Sequence, residues 1–344
     1  MKRVLLILLA VLLLTAAYLG WAFLGPATAF EQKTFFLEIP TGSRYEQLLQ
    51  DLENRKVLKH PGLFDFLARR LGYPQKLKAG RYAIPRNSSL LNMIRKLRNG
   101  RQEPVNLVIT KLRTKEDFAG LAGRKFEFDS LHFLRYINSD SLQAYGLDSN
   151  TVMSGVLPNT YTFYWNTTAA AVMEKILRNY QAFWTAERRE KAKAKGLNPA
   201  QVSTIASIVD EETNNKDEKG LIASVYLNRL QKGMRLGADP TVKFALRDFG
   251  LKRIYNKHLL VESPYNTYRV TGLPPGPICT PQPQTIDAVL DAPSTNYLFF
   301  VAKPDFSGTH AFAADYAEHL KLARAYQQFL DTLSRQRQTE AIGH

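Results

Sequence analysis

Three consecutive acids, Asp210-Glu211-Glu212, close a segment that begins with a clear helix start. Asn198 supplies an N-cap and Pro199 fills the first helical position. At 100° per residue, Val202, Ile205, Ala206 and Val209 form one apolar stripe, and Glu212 continues that row within about 50° of its centre. By the same arithmetic Glu211 lies opposite the stripe and Asp210 about a quarter-turn or more away. A carboxyl group at the inner edge of a helix, in its last turn, is pushed toward the protonated form by desolvation and by the negative end of the helix dipole. Such a carboxyl suits general-acid chemistry. The same position also suits an ion pair with a buried arginine, and on the residues alone both readings stand.

A predicted helix over Asp217–Lys232 offers that arginine. Ile222, Val225 and Tyr226 share one face with Arg229 in their midst, and Asn228 flanks it. Asp239, in the loop Met234–Val242, is a second candidate carboxylate. Tyr265, Asn266, Thr267 and Tyr268 follow in one short run. Aromatic faces that stack on pyranose rings, beside amides and hydroxyls that bind sugar hydroxyls, make these four candidate substrate-binding residues. Gly272-Leu273-Pro274-Pro275-Gly276-Pro277-Ile278 reads as a rigid turn scaffold. His310, near a buried aromatic strand at Tyr297–Ala302, is a candidate lining residue, whereas His319 on the final helix reads as structural.

The elements that must hold these groups fall into three parts. Residues 1–30 contain Lys2 and Arg3 followed by the uncharged stretch Val4–Gly25. As a helix this stretch rises about 33 Å, against a hydrocarbon core of roughly 30 Å, and predicts a transmembrane helix with a cytoplasmic N-terminus. Ala27-Thr28-Ala29 would alternatively serve as a signal-peptide cleavage site. Residues 31–104 read as a small α+β unit. A strand lies at Thr34–Ile39, helices around Tyr45–Leu52 and Leu63–Leu71, a strand near Lys78–Pro85, and a last helix capped by Ser88. Residues 105–344 read as a larger mixed α+β domain with a strand at Val105–Ile109, helices at Lys115–Ala122 and Ser130–Ile137, and one long helix over Ala169–Lys195. The fold class is therefore α+β with an N-terminal transmembrane helix.

The 344 residues carry 46 Lys+Arg against 31 Asp+Glu, net +15. Two of the basic residues and no acids lie in 1–30, so the rest carries +13 and favours an anionic partner. Export past a membrane argues against nucleic acid and for an envelope polymer. One cysteine, Cys279, excludes a disulfide framework and a cysteine-based zinc site. With six scattered histidines, neither a metal nor another cofactor is expected.

The strings Ala206–Thr213, Val225–Leu230, Asp239–Val242, Tyr265–Tyr268 and Gly272–Ile278 resemble, in order and spacing, the membrane-anchored endolytic murein transglycosylases of the YceG-like family. The unit over 31–104, with Lys78-Ala79-Gly80-Arg81-Tyr82, resembles that family's LysM-like domain. The resemblance implies cleavage of the β-1,4 bond between N-acetylmuramic acid and N-acetylglucosamine in nascent peptidoglycan strands. The muramic C6 hydroxyl attacks C1 and leaves a 1,6-anhydro end. One Glu then suffices, where hydrolysis ordinarily takes two carboxylates. The family's catalytic Glu aligns with Glu212. Asp210 stands where relatives often carry Glu, and Pro281-Gln282 where they often carry Pro-Gly. The resemblance further implies an inner-membrane location with an extracytoplasmic catalytic domain, termination of glycan polymerisation, and peptidoglycan synthases as partners. A hydrolytic muramidase using Glu212 with Asp239 or Asp210, and a non-catalytic peptidoglycan-binding scaffold, are the alternatives.

Overall fold

The computed structural model describes residues 2–342, and the side chains of residues 2, 16, 19, 22 and 333–342 lie outside that description. In chain order the elements are α1 (Lys2–Leu24), β1 (Thr34–Ile39), α2 (Tyr45–Asn54), α3 (Pro61–Arg70), β2 (Gly80–Pro85), α4 (Leu90–Asn99), β3 (Val105–Ile109), α5 (Lys115–Gly123), α6 (Ser130–Ile137), β4 (Asn159–Phe163), α7 (Ala169–Phe183), α8 (Ala186–Ala194), α9 (Pro199–Glu212), α10 (Lys219–Gln231), α11 (Asp239–Leu246), α12 (Pro283–Leu290), β5 (Phe299–Ala302), β6 (His310–Ala313) and α13 (Tyr316–Ile342). The strands pair as β1–β2, β3–β4 and β5–β6. The mixed α+β character follows directly.

The transmembrane helix expected over residues 4–25 is corrected: among the described residues no helix is long and apolar enough to cross a membrane.

The chain divides into two compact units. The first comprises residues 1–107, 122–129 and 162–169; the second comprises 108–121, 130–161 and 170–344. In the first unit β1 and β2 are antiparallel, with Thr34 opposite Pro85 and Ile39 opposite Gly80. Alternation along the strands turns Leu37, Ile39, Tyr82 and Ile84 into the core. There they meet Leu52 of α2, Phe64 of α3 and Ile94 of α4. Helix α3 starts at Pro61, in the first turn, where the missing N–H costs nothing. Helix α4 is capped by Ser89 rather than Ser88: the Ser89 hydroxyl accepts from Asn92 N at 3.3 Å.

In the second unit α9 is the central element, and α8, α10, α11 and α12 pack against it. Every residue from Val202 to Asp210 is buried, so α9 has no solvent face over that stretch. Its start follows the sequence: Asn198 Oδ1 accepts from Gln201 N, and Gln201 Oε1 accepts in turn from Asn198 N. The long helix expected over 169–195 is two helices. Thr185 breaks it by capping α8 through Arg188 N at 3.3 Å. Strands β5 and β6 form a hairpin with Phe300 opposite Phe312 and Ala302 opposite His310. β5 was expected to be buried, yet all four of its residues are partly exposed, because one end of the strand borders an open cleft.

Candidate active site

The three acids at the end of α9 have three different environments, and helical phase alone does not account for them. Asp210 is the most buried, at 5% exposure. Its carboxylate takes bonds from Lys219 Nζ, from Thr285 Oγ1 at 2.6 Å and from Gln282 N at 2.7 Å. It therefore ties α9 to the starts of α10 and α12. The wheel put Asp210 off the apolar stripe; with α9 packed on every side, an off-stripe residue is still interior. Glu211 pairs with Lys111 and Arg113, each at 3.1 Å, on the segment after β3. That segment is docked by Thr280, whose hydroxyl bonds Thr110 O and accepts from Leu112 N, both at 3.0 Å.

Glu212 has no cationic partner of this kind among the described residues. It opens into a cleft of about 510 Å³ lined by Tyr226, Arg229, Arg235, Asp239, Tyr268, Phe299, Phe300 and His319, among others. Desolvation by these walls raises its pKa from 4.5 to about 7. The nearby charge of Asp239 adds to that rise, while the Tyr226 hydroxyl, donating to Oε1 at 2.6 Å, opposes it. The carboxyl is thus held close to half-protonation at neutral pH, with one oxygen fixed in direction. A group in that state both donates and accepts a proton at little cost, which is what acid–base catalysis requires.

The walls are built from backbone outward. Arg229 lies on α10, three residues after Tyr226, so both face the cleft. Its Nε donates to Leu298 O and its Nη1 to Leu236 O, both at 2.6 Å, and the guanidinium lies over the Phe299 ring at 5.1 Å. Burial lowers the Arg229 pKa, and the two carbonyls hold the cation in place without a carboxylate. Gly237 adopts φ +58°, and a Cβ there would sit 3.2 Å from Arg229 Nη1. That position favours glycine on both counts. Tyr268 donates to Asp239 Oδ1 at 2.6 Å, and Asp239 occupies the favourable N-terminal turn of α11.

Of the residues singled out in the sequence, the structure brings together Glu212, Arg229, Asp239 and Tyr268 in this one cleft. Asn228 instead donates to Thr295 O at 3.0 Å and Tyr297 O at 2.9 Å, fixing the approach to β5. Asn266 is fully buried and donates to Leu259 O and Val261 O. Thr267, also buried, accepts from Ala238 N and meets the Thr241 hydroxyl at 2.8 Å. Both hold the loop that presents Tyr268. Tyr265 packs on Phe244 at 4.6 Å and lines a separate, smaller cavity with Arg113, Lys115 and Arg247. His310 is engaged by Glu218, through its backbone N at 2.6 Å and its Nδ1 at 3.1 Å. The Pro/Gly run ends docked on α9, where Ile278 N donates to Ser207 Oγ at 3.0 Å.

Sequence reasoning did not assign Tyr226, Arg235, Phe299, Phe300 or His319 to the site. Tyr226 was within reach, since its i, i+3 spacing to Arg229 marks a shared face. His319 had no local signal, because only the packing of α13 on β5 carries it to the cleft. Another cavity, of about 590 Å³, lies in the first unit along Pro40–Ser43 and Gln47, with Trp165 on its wall. None of the candidate site residues borders it.

An α+β unit that carries one desolvated carboxyl in an open cleft of aromatic and cationic side chains has the makings of a single-acid catalyst for a polar substrate. The profile of the YceG-like family matches residues 37–325, and the chain belongs to that family. It is similar to an endolytic murein transglycosylase of Bacillus subtilis (strain 168), with 26% identity over 333 residues, covering 92% of this chain and 91% of the relative. It is also similar to an endolytic murein transglycosylase of Streptococcus pneumoniae serotype 2 (strain D39), 28% identical over 330 residues and covering 85% of this chain. The chain spans 59% of that longer relative. A crystal structure of a yceG-like protein from Listeria monocytogenes matches 85% of this chain and 99% of its own, at 27% identity and a TM-score of 0.56.

Proposed function

We propose that this protein is an endolytic peptidoglycan lytic transglycosylase, cleaving the β-1,4 bond between N-acetylmuramic acid and N-acetylglucosamine inside glycan strands. The observation that carries the reading is Glu212: a cleft carboxyl with its pKa raised to about 7 and no cation paired to it among the described residues. Protonated Glu212 gives its proton to the glycosidic oxygen as the C1–O4 bond breaks. The resulting carboxylate then takes the proton from the muramic C6 hydroxyl as O6 bonds to C1. The N-acetylglucosamine leaves with a free 4-hydroxyl, the muramic end is 1,6-anhydro, and Glu212 is regenerated. Tyr226 aims the carboxyl, and Phe299 and Phe300 offer apolar surface for a pyranose face.

The names of the relatives in Bacillus subtilis and Streptococcus pneumoniae support the reaction class. Action on nascent strands, termination of glycan polymerisation, an extracytoplasmic location and peptidoglycan synthases as partners belong to the same reading. So does a LysM-like glycan-holding role for residues 31–104. A hydrolytic course is the second reading, favoured by Asp239 on the same cleft wall. Uncrosslinked glycan strands digested with wild type and with Glu212→Gln, and analysed by mass spectrometry, decide between them. Internal fragments with 1,6-anhydromuramic ends from the wild type alone are expected. Ends heavier by one water establish hydrolysis, and the absence of fragments from the wild type refutes both.

A further inference from the structure

His319 lies on α13, far in sequence from every motif of the site, yet it borders the Glu212 cleft. Its imidazole stacks on Phe299 with ring centroids 5.0 Å apart and an interplanar angle of 22°, and Tyr316 lies 6.1 Å away on the same helix. The ring plane is therefore fixed by aromatic neighbours. Its Nδ1 is buried without a hydrogen-bond partner among the described residues, a cost that calls for an explanation.

We propose that His319 is a substrate-contacting residue, a neutral imidazole with its single proton on Nε2, donating a hydrogen bond to a sugar oxygen in the cleft. The proposal rests on the reading of the cleft as a glycan site. Two features set the protonation. Burial and the Arg229 charge lower the pKa of His319, so the ring stays neutral at neutral pH. A neutral ring carries one N–H. Placing it on Nε2 leaves a lone pair rather than a stranded donor at the buried Nδ1. Arg229 gives Nε and Nη1 to backbone carbonyls, and Tyr226 and Tyr268 give their hydroxyl protons to Glu212 and Asp239. His319 thus supplies a neutral donor that these groups do not.

The test separates the ring stack from the hydrogen bond. In the full chain, His319→Phe keeps an aromatic ring against Phe299, and His319→Gln places an amide N–H near the position of Nε2. His319→Asn places one near Nδ1 instead. Binding of uncrosslinked glycan strands is measured in a Glu212→Gln background, and cleavage in the wild-type background, with thermal unfolding of each variant. Loss of one donor corresponds to about a tenfold weakening of binding and rise in KM for His319→Phe. His319→Gln should recover most of that loss and His319→Asn should not. Unchanged binding by His319→Phe, or equal losses for Gln and Asn, overturns the proposal. If His319→Phe unfolds, the Gln-against-Asn comparison decides alone. Should the wild type bind strands in this His319-dependent way yet release no fragments, the catalytic reading fails and the contact stands.

Discussion

Replacing Glu212 by Gln should abolish activity and, at the same time, make the protein more stable above neutral pH. The unfolded chain holds this carboxyl near its ordinary value of 4.5, whereas the folded cleft raises it to about 7. Between those pH values the unfolded state has already released the proton and the native state has not. Stability therefore falls as pH rises across that window. The difference amounts to about 3 kcal/mol once both states are ionised, and solvent reaching a partly exposed side chain trims it to about 2–3 kcal/mol. Gln is nearly isosteric, stays neutral and still accepts from the Tyr226 hydroxyl, so it removes the cost without disturbing the packing. For a unit of roughly 200 residues the gain corresponds to about 4–10 °C in Tm. The assay is thermal unfolding of wild type and variant from pH 4 to pH 8.5. The curves should coincide near pH 4 and separate progressively up to about pH 7.5. A variant that is less stable at pH 8, or whose gain does not depend on pH, refutes the reasoning, and the first of these outcomes makes Glu212 a structural ion-pair partner.

Two further perturbations probe the neighbouring groups. Tyr226→Phe removes the bond that favours ionised Glu212, so the alkaline limb of kcat/KM should move from about pH 7 to about pH 8–9; a limb that stays or moves to lower pH contradicts the assigned role. Asp210→Asn strands Lys219 beside Thr285 at the junction of α9, α10 and α12. Denaturant unfolding should show a loss of about 3–5 kcal/mol, whereas Asp210 as the catalytic acid would instead predict inactivity in a protein of normal stability.

Much of the site was legible because it is local. The cap at Asn198-Pro199, the 3.6-residue period of α9 and the spacing of Tyr226 to Arg229 are all written within single helices. They brought Glu212 and Arg229 forward before any tertiary contact was known. The motif order carried the family assignment for the same reason: each string is continuous in sequence. Asp239 and Tyr268 were also named, but only their hydrogen bond between the start of α11 and a separate loop shows why both belong to the cleft.

What the chain alone left undecided was the division of labour among similar side chains. Asn228, Asn266 and Thr267 have the chemistry of sugar-binding groups, yet each spends its polar atoms on backbone or hydroxyl partners that only the packed loops provide. A helical wheel assumes one buried side, and α9 has neighbours all round; the burial of Asp210 is thus a property of α10 and α12, not of α9. The length of α7 was overestimated because Thr185 caps a new helix inside a helix-favouring composition. His319 joins the cleft only because α13 packs on β5, a contact between segments with no shared period or motif. Hydrophobic period and capping are encoded over a few residues, and so the sequence determined the helices and the acid that ends one of them. Desolvation, which sets the pKa of that acid, sums over walls drawn from α10, the loop before α11, β5 and α13, and only the tertiary structure decided it.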